Sequence, residues 1–180
     1  MLDPLHTVIE SERLRLVPTT EGYAGEILRV FTHEITRYMF PKPPDDLGEV
    51  LAFINRSRAE MARGEALIVA IVDKVTGKFL GHGGLHQIDG DTPELGIWIK
   101  KDGHGHHYGR EAVTALAGWA EANLAYRYLI YPVDRRNTAS RKIPESLGAA
   151  IEDEYEQMGE GGQALSLLEY RIYPSTRATG

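Results

Sequence analysis

The stretch that decides the fold runs from Glu94 to Asn123 and reads ELGIWIKKDGHGHHYGREAVTALAGWAEAN. Its first part, 94–100, is rich in apolar and β-branched side chains and predicts a strand. Apolar side chains then recur at helical spacing from Val113 to Leu124 and predict a helix with one apolar face. Glycines and histidines fill the loop between them, 102–109. The stretch therefore predicts a strand, a glycine-rich loop and a helix in direct succession.

The loop has the composition of a phosphate-binding segment. Gly103, Gly105 and Gly109 allow the backbone to approach a ligand closely. The start of the following helix directs unpaired N–H groups and the positive end of its dipole toward the loop, and Arg110 adds a formal charge. These features predict a site for phosphate or pyrophosphate. The alternative is a flexible connector with solvated histidines.

Outward from this stretch, apolar runs alternate with helical patterns. The run Ala66–Asp73 is apolar and β-branched, and turn signals at 75–78 and 89–91 join it to the next two runs. The predicted strands are 13–17, 66–73, 79–88, 94–100, 128–133, 150–157 and 165–172. The predicted helices are 21–31, 47–64, the segment after Gly109, and 138–147. Pro144 is expected to break or kink the last helix.

This order of elements predicts the fold class. A chain of 180 residues fits one domain. Helices inserted singly into a run of strands predict an α/β (α+β) domain whose mixed, mainly antiparallel sheet has six to seven strands, with helices on both faces. A doubly wound parallel sheet would instead require strict alternation of strands and helices.

Composition excludes several classes of protein. Twenty basic against 26 acidic residues give a net charge of −6, so a broad basic face for nucleic acid is not expected. The absence of cysteine excludes a disulfide framework, a thiolate zinc site and a cysteine nucleophile, and favours the cytoplasm. The longest apolar run, Ala66 to Val72, is far below the ~20 residues of a membrane span, and no signal peptide is expected.

A second stretch, 134–148 (DRRNTASRKIPESLG), completes a pattern of four segments in order. The other three are ESERLRLVP, ELGIWI and GHGHHYGREAV. Together they resemble the GCN5-related N-acetyltransferases (GNAT family), and within them the RimJ/RimL-like branch that acetylates the N-termini of ribosomal proteins. The resemblance covers about residues 8–173 and leaves 1–7 and 174–180 as tails.

The resemblance implies acetyl-CoA-dependent transfer of an acetyl group to a primary amine, by direct attack in a ternary complex. It also implies that the two central strands splay apart and that the cofactor binds along one exposed edge. The acceptor is a protein N-terminus or a small-molecule amine, with neither nucleic acid nor membrane as a partner. The resemblance does not decide the oligomeric state, and a homodimer is one option. The cofactor-binding residues that it implies are Ile97, Trp98, Ile99, Gly105, His106, His107, Tyr108, Gly109, Arg110 and Asn137. His104 and His107 depart from the family's loop pattern, which has a glutamine or arginine and a glycine there.

Acetylation of an amine needs a base for the ammonium proton and an acid for the departing thiolate. By resemblance, Glu94 is the base and Ser140 the acid, since Pro144 stands where other members carry a tyrosine acid. His82 and His86 lie four apart on one strand, so both face one side, where they line the acceptor pocket or pack locally. Glu94 has the alternative of an ordinary strand-end carboxylate. The alternative for Ser140 is a polar residue of a helix's first turn, and Asn137 also suits the N-cap of that helix.

Three other hypotheses start from the same residues. A non-catalytic acyl-CoA-binding module would share the fold without turnover. The glycines at 103, 105 and 109, with Asp134 after the next strand, resemble a dinucleotide fingerprint and hence an oxidoreductase. His104, His106 and His107 could bind a divalent metal ion, but the carboxylates that would complete such a site are missing nearby except for Asp102, so no metal is expected.

Overall fold

The run Ala66–Asp73 becomes a strand that is buried from Ala66 to Val72, because apolar and β-branched side chains fill both sides of a sheet that helices cover. The computed structural model describes residues 2–175, so Met1 and 176–180 of the expected tails lie outside the described residues. The strands are β1 (Ile9–Glu10), β2 (Leu14–Pro18), β3 (Ala66–Asp73), β4 (Phe79–His86), β5 (Glu94–Ile99), β6 (Leu129–Asp134), β7 (Ala150–Met158) and β8 (Ala164–Ile172). The helices are α1 (Ala24–Val30), α2 (His33–Thr36), α3 (Leu47–Ala62), α4 (Tyr108–Asn123) and α5 (Thr138–Ser146), with 3-10 turns at Glu21–Tyr23 and Lys101–Gly103.

All strands join one sheet in the order β1-β2-β3-β4-β5-β6-β8-β7. Neighbours are antiparallel except β5 and β6, which run parallel. The predicted mixed, mainly antiparallel fold is confirmed. The predicted count of six to seven strands is wrong, since the described part of the chain has eight. The additional strand is β1, whose two residues are too few to show a strand pattern in the sequence.

Helices cover both faces of the sheet, as expected. Helix α4 buries Val113 and Leu116 against one face, in the same core as Leu95 of β5. Helices α1 and α3 cover the other face, where Ile54 packs with Phe79. No helix within residues 2–175 is long and apolar enough to cross a membrane.

The parallel strands β5 and β6 separate after a single register pair, Glu94 with Ile130. The Ile130 N–H donates to Pro93 O at 2.8 Å, so the next backbone position of β6 that faces β5 is residue 132. That residue is Pro132, which has no N–H and cannot continue the ladder. The two strands therefore diverge toward their C-terminal ends, which matches the splayed pair that the resemblance implied.

Of the break or kink expected at Pro144, the break is wrong, because α5 continues to Ser146 with Pro144 in its last turn. Without an N–H, Pro144 leaves the carbonyl of Ser140 without its donor from within the helix. The hydroxyl of Tyr131, on the neighbouring strand β6, donates to that carbonyl at 3.3 Å instead. The carbonyl thus has a tertiary donor within reach, although the same hydroxyl lies 2.7 Å from Ser140 Oγ and can donate to only one of the two at a time.

The backbones of β3 and β5 approach the glycines of β4 closely, which leads to a prediction about stability. A Cβ on Gly84 would lie 2.4 Å from Leu67 O, in the backbone of β3, so Gly84→Ala is expected to lower the free energy of unfolding by about 2 kcal/mol. The matched control is Gly118→Ala, at an exposed helical position with nothing within 4 Å, which is expected to be neutral or slightly stabilising. Urea denaturation of both variants measures the difference. Equal stability of the two variants would contradict the packing described.

Candidate active site

The divergence of β5 and β6 opens a cleft of about 1740 Å³. Its walls come from β4 and β5, the loop before α4, β6 and the first turn of α5. The predicted site residues that line it are His82, His86, Glu94, Ile97, Trp98, Ile99, Gly105, His107, Tyr108, Gly109, Arg110, Asn137 and Ser140. The exception is His106, whose ring packs against the Tyr108 ring at 5.5 Å between centroids. The fold therefore brings together segments that lie far apart in the sequence.

The edge of β5 presents free backbone groups to the cleft. Lys100 N donates to Leu80 O of β4 at 2.8 Å. Because backbone groups alternate in direction along a strand, Trp98 also faces β4, whereas Ile97 and Ile99 face the cleft. The N–H and carbonyl of Ile97 and the N–H of Ile99 therefore lie along the expected cofactor edge, while Ile99 O is engaged by His104 Nε2 at 2.7 Å. Trp98 contributes its side chain instead, stacked on the ring of Phe31 at 4.5 Å between centroids.

The loop before α4 has a constrained backbone. Gly103 packs tightly, since a Cβ there would lie 2.7 Å from Ile99 Cγ2, and Gly105 has φ of +81°. His107 also lies in the left-handed region, at φ 61° and ψ 22°, where it caps the N-terminus of α4. Histidine is among the non-glycine residues found there more often than average, so the replacement of the family's glycine is accommodated. His104 turns back and donates from Nε2 to Ile99 O at 2.7 Å.

The N-terminus of α4 offers N–H donors at the end of this loop. The first bond of the helix runs from Glu111 N to His107 O at 3.1 Å, so the N–H groups of Tyr108, Gly109 and Arg110 precede it. Such N–H groups and the helix dipole favour an anion. Arg110 is exposed beside them on the cleft wall. The geometry therefore fits the pyrophosphate of a nucleotide cofactor.

Sequence reasoning missed the residue that anchors this helix end, Glu111. Its carboxylate accepts hydrogen bonds from Ser11 Oγ at 2.6 Å and from Arg13 N and Nε at 2.7 Å each. Burial works to raise the pKa of Glu111, but these hydrogen bonds outweigh it and lower the pKa. The guanidinium of Arg13 also lies over the Tyr108 ring at 4.7 Å. The partners are about a hundred positions apart, so no local pattern indicates this anchor.

The first turn of α5 faces the cleft from the opposite side. Asn137 Oδ1 accepts from Ser140 N at 3.2 Å, so Asn137 is the helix N-cap, as its alternative interpretation expected. Ser140 Oγ lies 2.7 Å from Tyr131 Oη. Tyr131 is only 2% exposed, and burial raises the pKa of its hydroxyl to about 12, so it stays protonated at neutral pH. Sequence reasoning did not identify Tyr131, which reads simply as an aromatic residue of a strand.

Glu94 lies at the start of β5, and its carboxylate lines the cleft. The side chain stays accessible from the cleft, yet the surrounding protein raises the pKa of its carboxyl. Loss of hydration is the main cause, and the negative charge of Glu169 on β8 adds to it. A carboxyl with a raised pKa is a stronger base than an ordinary glutamate. Glu94 therefore has the environment of a general base.

The two predicted acceptor-pocket histidines differ in environment. His82 is 5% exposed, and its Nε2 lies 3.1 Å from Thr19 Oγ1. Burial, and after it the proximity of His86, lowers the pKa of His82 to about 4, so its ring is neutral at physiological pH. His86 lies at the strand end and is exposed to solvent. The protein around its ring removes part of the hydration and lowers the pKa of His86, while the charge of Glu60 opposes that shift. His82 is thus held by packing, and His86 is the more accessible of the two.

Across residues 2–175, no group of three or more histidine, aspartate or glutamate side chains is arranged to hold a metal ion. The loop histidines are engaged separately: His104 Nε2 binds Ile99 O, and the His106 ring packs against Tyr108.

Comparisons with known proteins agree with this geometry. The family model "Acetyltransferase (GNAT) domain" matches residues 13–150. No curated protein sequence matches the chain. Among solved structures, a Vibrio cholerae protein provisionally described as a ribosomal-protein-serine acetyltransferase has a TM-score of 0.81 at 20% identity, covering 94% of this chain and 99% of the other.

Two further solved structures share the fold. A GCN5-related N-acetyltransferase from Brucella melitensis has a TM-score of 0.79 at 19% identity, over 96% of this chain and 80% of the other. RimL, a ribosomal L7/L12 alpha-N-protein acetyltransferase solved in complex with coenzyme A, has a TM-score of 0.80 at 14% identity, over 95% and 100%. Since the family model spans more than half of the sequence, the chain belongs to the GNAT family of acetyl-CoA-dependent N-acetyltransferases.

Proposed function

We propose that the protein transfers the acetyl group of acetyl-CoA to a primary amine, by direct attack of the amine in a ternary complex. The observation that carries this proposal is the cleft between β5 and β6, where a free strand edge, an anion-binding helix end, Ser140 and Glu94 meet. We assign the activity to a domain of residues 8–173 and place the enzyme in the cytoplasm.

The cofactor fits the cleft through groups that the structure leaves available. The pantetheine amides would pair with the N–H and carbonyl of Ile97 and with the N–H of Ile99, which face away from β4. The pyrophosphate would bind the segment from Gly105 to Arg110, where N–H groups and a positive charge converge. Asn137, on the opposite wall, would contact the pantetheine arm. Acetyl-CoA then supplies the thioester.

The catalytic groups approach the cleft from different sides of the sheet. Ser140 belongs to α5, whose Ile143 packs in the same core as α4. Glu94 lies opposite His86 of the neighbouring strand β4. Its side chain is on the same face of β5 as that of Trp98, which packs against α1 and α3. The acceptor amine therefore enters from the side of α1 and α3, and Ser140 faces the sulfur from the other side.

The proposed reaction involves three proton transfers. Glu94 removes a proton from the ammonium, directly or through a water molecule, and the neutral amine attacks the thioester carbon. The oxyanion is met by an N–H of the β5 edge. The C–S bond then breaks, and Ser140 Oγ donates its proton to the departing sulfur. The acylated nitrogen releases its second proton, which water in the cleft relays to Ser140 Oγ, so the products are the neutral amide and the free thiol. Each group acts at an atom where charge develops.

We propose a protein N-terminus or a small-molecule amine as the acceptor, within the RimJ/RimL-like branch. Similarity in fold to RimL and to the Vibrio cholerae protein supports this branch. The acceptor side of the cleft carries half-buried aromatic rings, Phe31, Phe53 and Trp98. An apolar group next to the amine would pack against them.

The test is a screen of amine acceptors with acetyl-CoA, measured as release of free thiol. The panel contains peptides with different N-terminal residues, a polyamine, free amino acids and an arylalkylamine, each against a blank without amine. Amine-dependent thiol release is expected. Binding of CoA without turnover of any acceptor would support the non-catalytic module instead, and binding of NAD in place of CoA would support the oxidoreductase.

Charge reversal at the loop tests the cofactor site. Arg110→Glu is expected to weaken CoA binding about tenfold or more, or ~1.4 kcal/mol, because it sets a negative charge beside the pyrophosphate. Isothermal titration calorimetry measures the dissociation constant, and the difference should shrink at high salt. The control is Arg127→Glu, an exposed arginine beyond the other end of α4 with the same change in net charge. Equal affinities of both variants would contradict this placement of the pyrophosphate.

A further inference from the structure

Two buried tyrosines tie α5 to the sheet, one on β6 and one on β8. Tyr131 contacts Ser140, with its Oη 2.7 Å from Oγ and 3.3 Å from the carbonyl oxygen of that residue. Tyr170 contacts other residues of the same helix: it donates to Glu145 Oε1 at 2.7 Å and accepts from Arg141 Nε at 3.1 Å. The two tyrosines are neighbours across the strand pair. Each tyrosine thus holds α5 through hydrogen bonds of its hydroxyl, Tyr131 at Ser140 and Tyr170 at Arg141 and Glu145.

Tyr131 therefore has two acceptors on one residue. The carbonyl of Ser140 is available because Pro144, four positions later, has no N–H. When Tyr131 donates to that carbonyl, the Ser140 hydroxyl donates to Tyr131 Oη. When Tyr131 donates to Ser140 Oγ instead, the serine proton is free to point into the cleft. The first arrangement gives the Ser140 carbonyl a hydrogen-bond donor. The second leaves the proton of the Ser140 hydroxyl available to act as an acid in the cleft.

We propose that Tyr131 is a positioning residue for acetyl transfer, whose hydroxyl donates to Ser140 Oγ and thereby directs the serine proton to the departing sulfur. This inference rests on the proposed role of Ser140. As the C–S bond breaks, sulfur keeps the electron pair and takes the proton of Ser140 Oγ. The negative charge that develops on Oγ is stabilised by the hydroxyl of Tyr131. Ser140 then regains a proton from the acylated nitrogen, relayed by water in the cleft, as that nitrogen becomes the neutral amide.

The burial of Tyr131 suits this role. Burial raises the pKa of the hydroxyl, so it keeps its proton at neutral pH. Its ring packs in the core beneath the sheet, which holds Oη at a constant distance from Ser140. A hydrogen bond to a developing anion contributes more than one to a neutral group, so its effect belongs to the transition state.

The test compares two tyrosine-to-phenylalanine variants that each remove one hydroxyl from a buried ring. Tyr131→Phe is expected to lower kcat about tenfold without changing the KM for acetyl-CoA, since the loss concerns a bond made to the transition state. Tyr170→Phe is expected to lower thermal stability to a similar degree and to keep kcat. Equal kcat values for the two variants would overturn the inference.

A double variant separates this inference from the proposed function. In a Ser140→Ala background, Tyr131→Phe is expected to cause no further loss of kcat, because its acceptor Oγ is gone. Ser140→Ala with full activity would refute the proposed acid itself. A loss with Ser140→Ala but none with Tyr131→Phe would refute only the role of Tyr131, as would additive losses in the double variant.

Pro144→Ala provides a second variant in case Tyr131→Phe folds poorly. The alanine N–H restores a helical donor to the Ser140 carbonyl, which leaves the hydroxyl of Tyr131 entirely to Ser140 Oγ. We therefore expect kcat to be kept or raised and thermal stability to increase. A fall in kcat for this stable variant would contradict the proposed donation from Tyr131 to Oγ.

Discussion

Replacing Glu94 by glutamine is expected to lower kcat/KM about 100- to 10,000-fold, the range of general-base catalysis, and to remove a rising limb from the pH–rate profile. The pKa of Glu94 is raised, mainly by burial and also by Glu169. Below that pKa the carboxyl holds a proton and cannot accept one, so the rate rises as the pH increases through it. Glutamine cannot ionise, and only the limb that belongs to the acceptor amine should remain.

Glu169→Gln is the matched control for this change. Its side-chain oxygen can still accept from Arg171 Nε, which lies 2.9 Å from Oε1, while its negative charge is gone. Because that charge helps to raise the pKa of Glu94, the limb should move to lower pH and persist. A Glu94→Gln profile that keeps both the limb and the rate would exclude Glu94 as the base and direct attention to His86.

The second large effect is expected at Ser140. Ser140→Ala should lower kcat about ten- to a thousandfold while the dissociation constant of CoA stays nearly unchanged. The serine proton matters only as charge develops on sulfur, so its loss affects the transition state and not the bound ground state. The helix should persist, since the cap from Asn137 binds the backbone N–H of residue 140, and Tyr131 can still donate to the carbonyl there.

Ser146→Ala is the control on the same helix. Its hydroxyl donates to Ile143 O at 2.6 Å, on an exposed part of the last turn. This variant is expected to retain full kcat. Stopped-flow measurement of thiol release with saturating acetyl-CoA and acceptor distinguishes the two serines. Full turnover by Ser140→Ala would show that water or another group protonates the thiolate.

Local patterns in the sequence were sufficient to predict most of the strands and helices and the position of the glycine-rich loop. Apolar runs, turn signals and helical spacing indicated seven of the eight strands and all the longer helices, because each of these patterns lies within or next to one element. The glycine-rich loop between strand and helix predicted an anion site at the N-terminus of α4 for the same reason. Strand β1 was missed, since two residues carry no period.

Tertiary structure alone decided how these parts combine. Pro132 is visible in the sequence, but only the register of β6 shows that it stands where the ladder to β5 must stop. The alternation of β5 assigns the free edge to Ile97 and Ile99 and turns Trp98 to β4. The contact of Tyr131 with Ser140 likewise appears only once α5 packs on the sheet.

The physical reason is the range over which each cause acts. Side-chain hydrophobicity and backbone propensity act within a few residues, so local patterns were enough to predict the longer elements, their order and the composition of the loop. Hydrogen bonding, desolvation and charge–charge effects depend on distances in space. The raised pKa of Glu94 needs Glu169, and the helix end at Tyr108 needs Glu111 to hold Ser11 and Arg13. Only folding brings these partners within a few ångströms of each other.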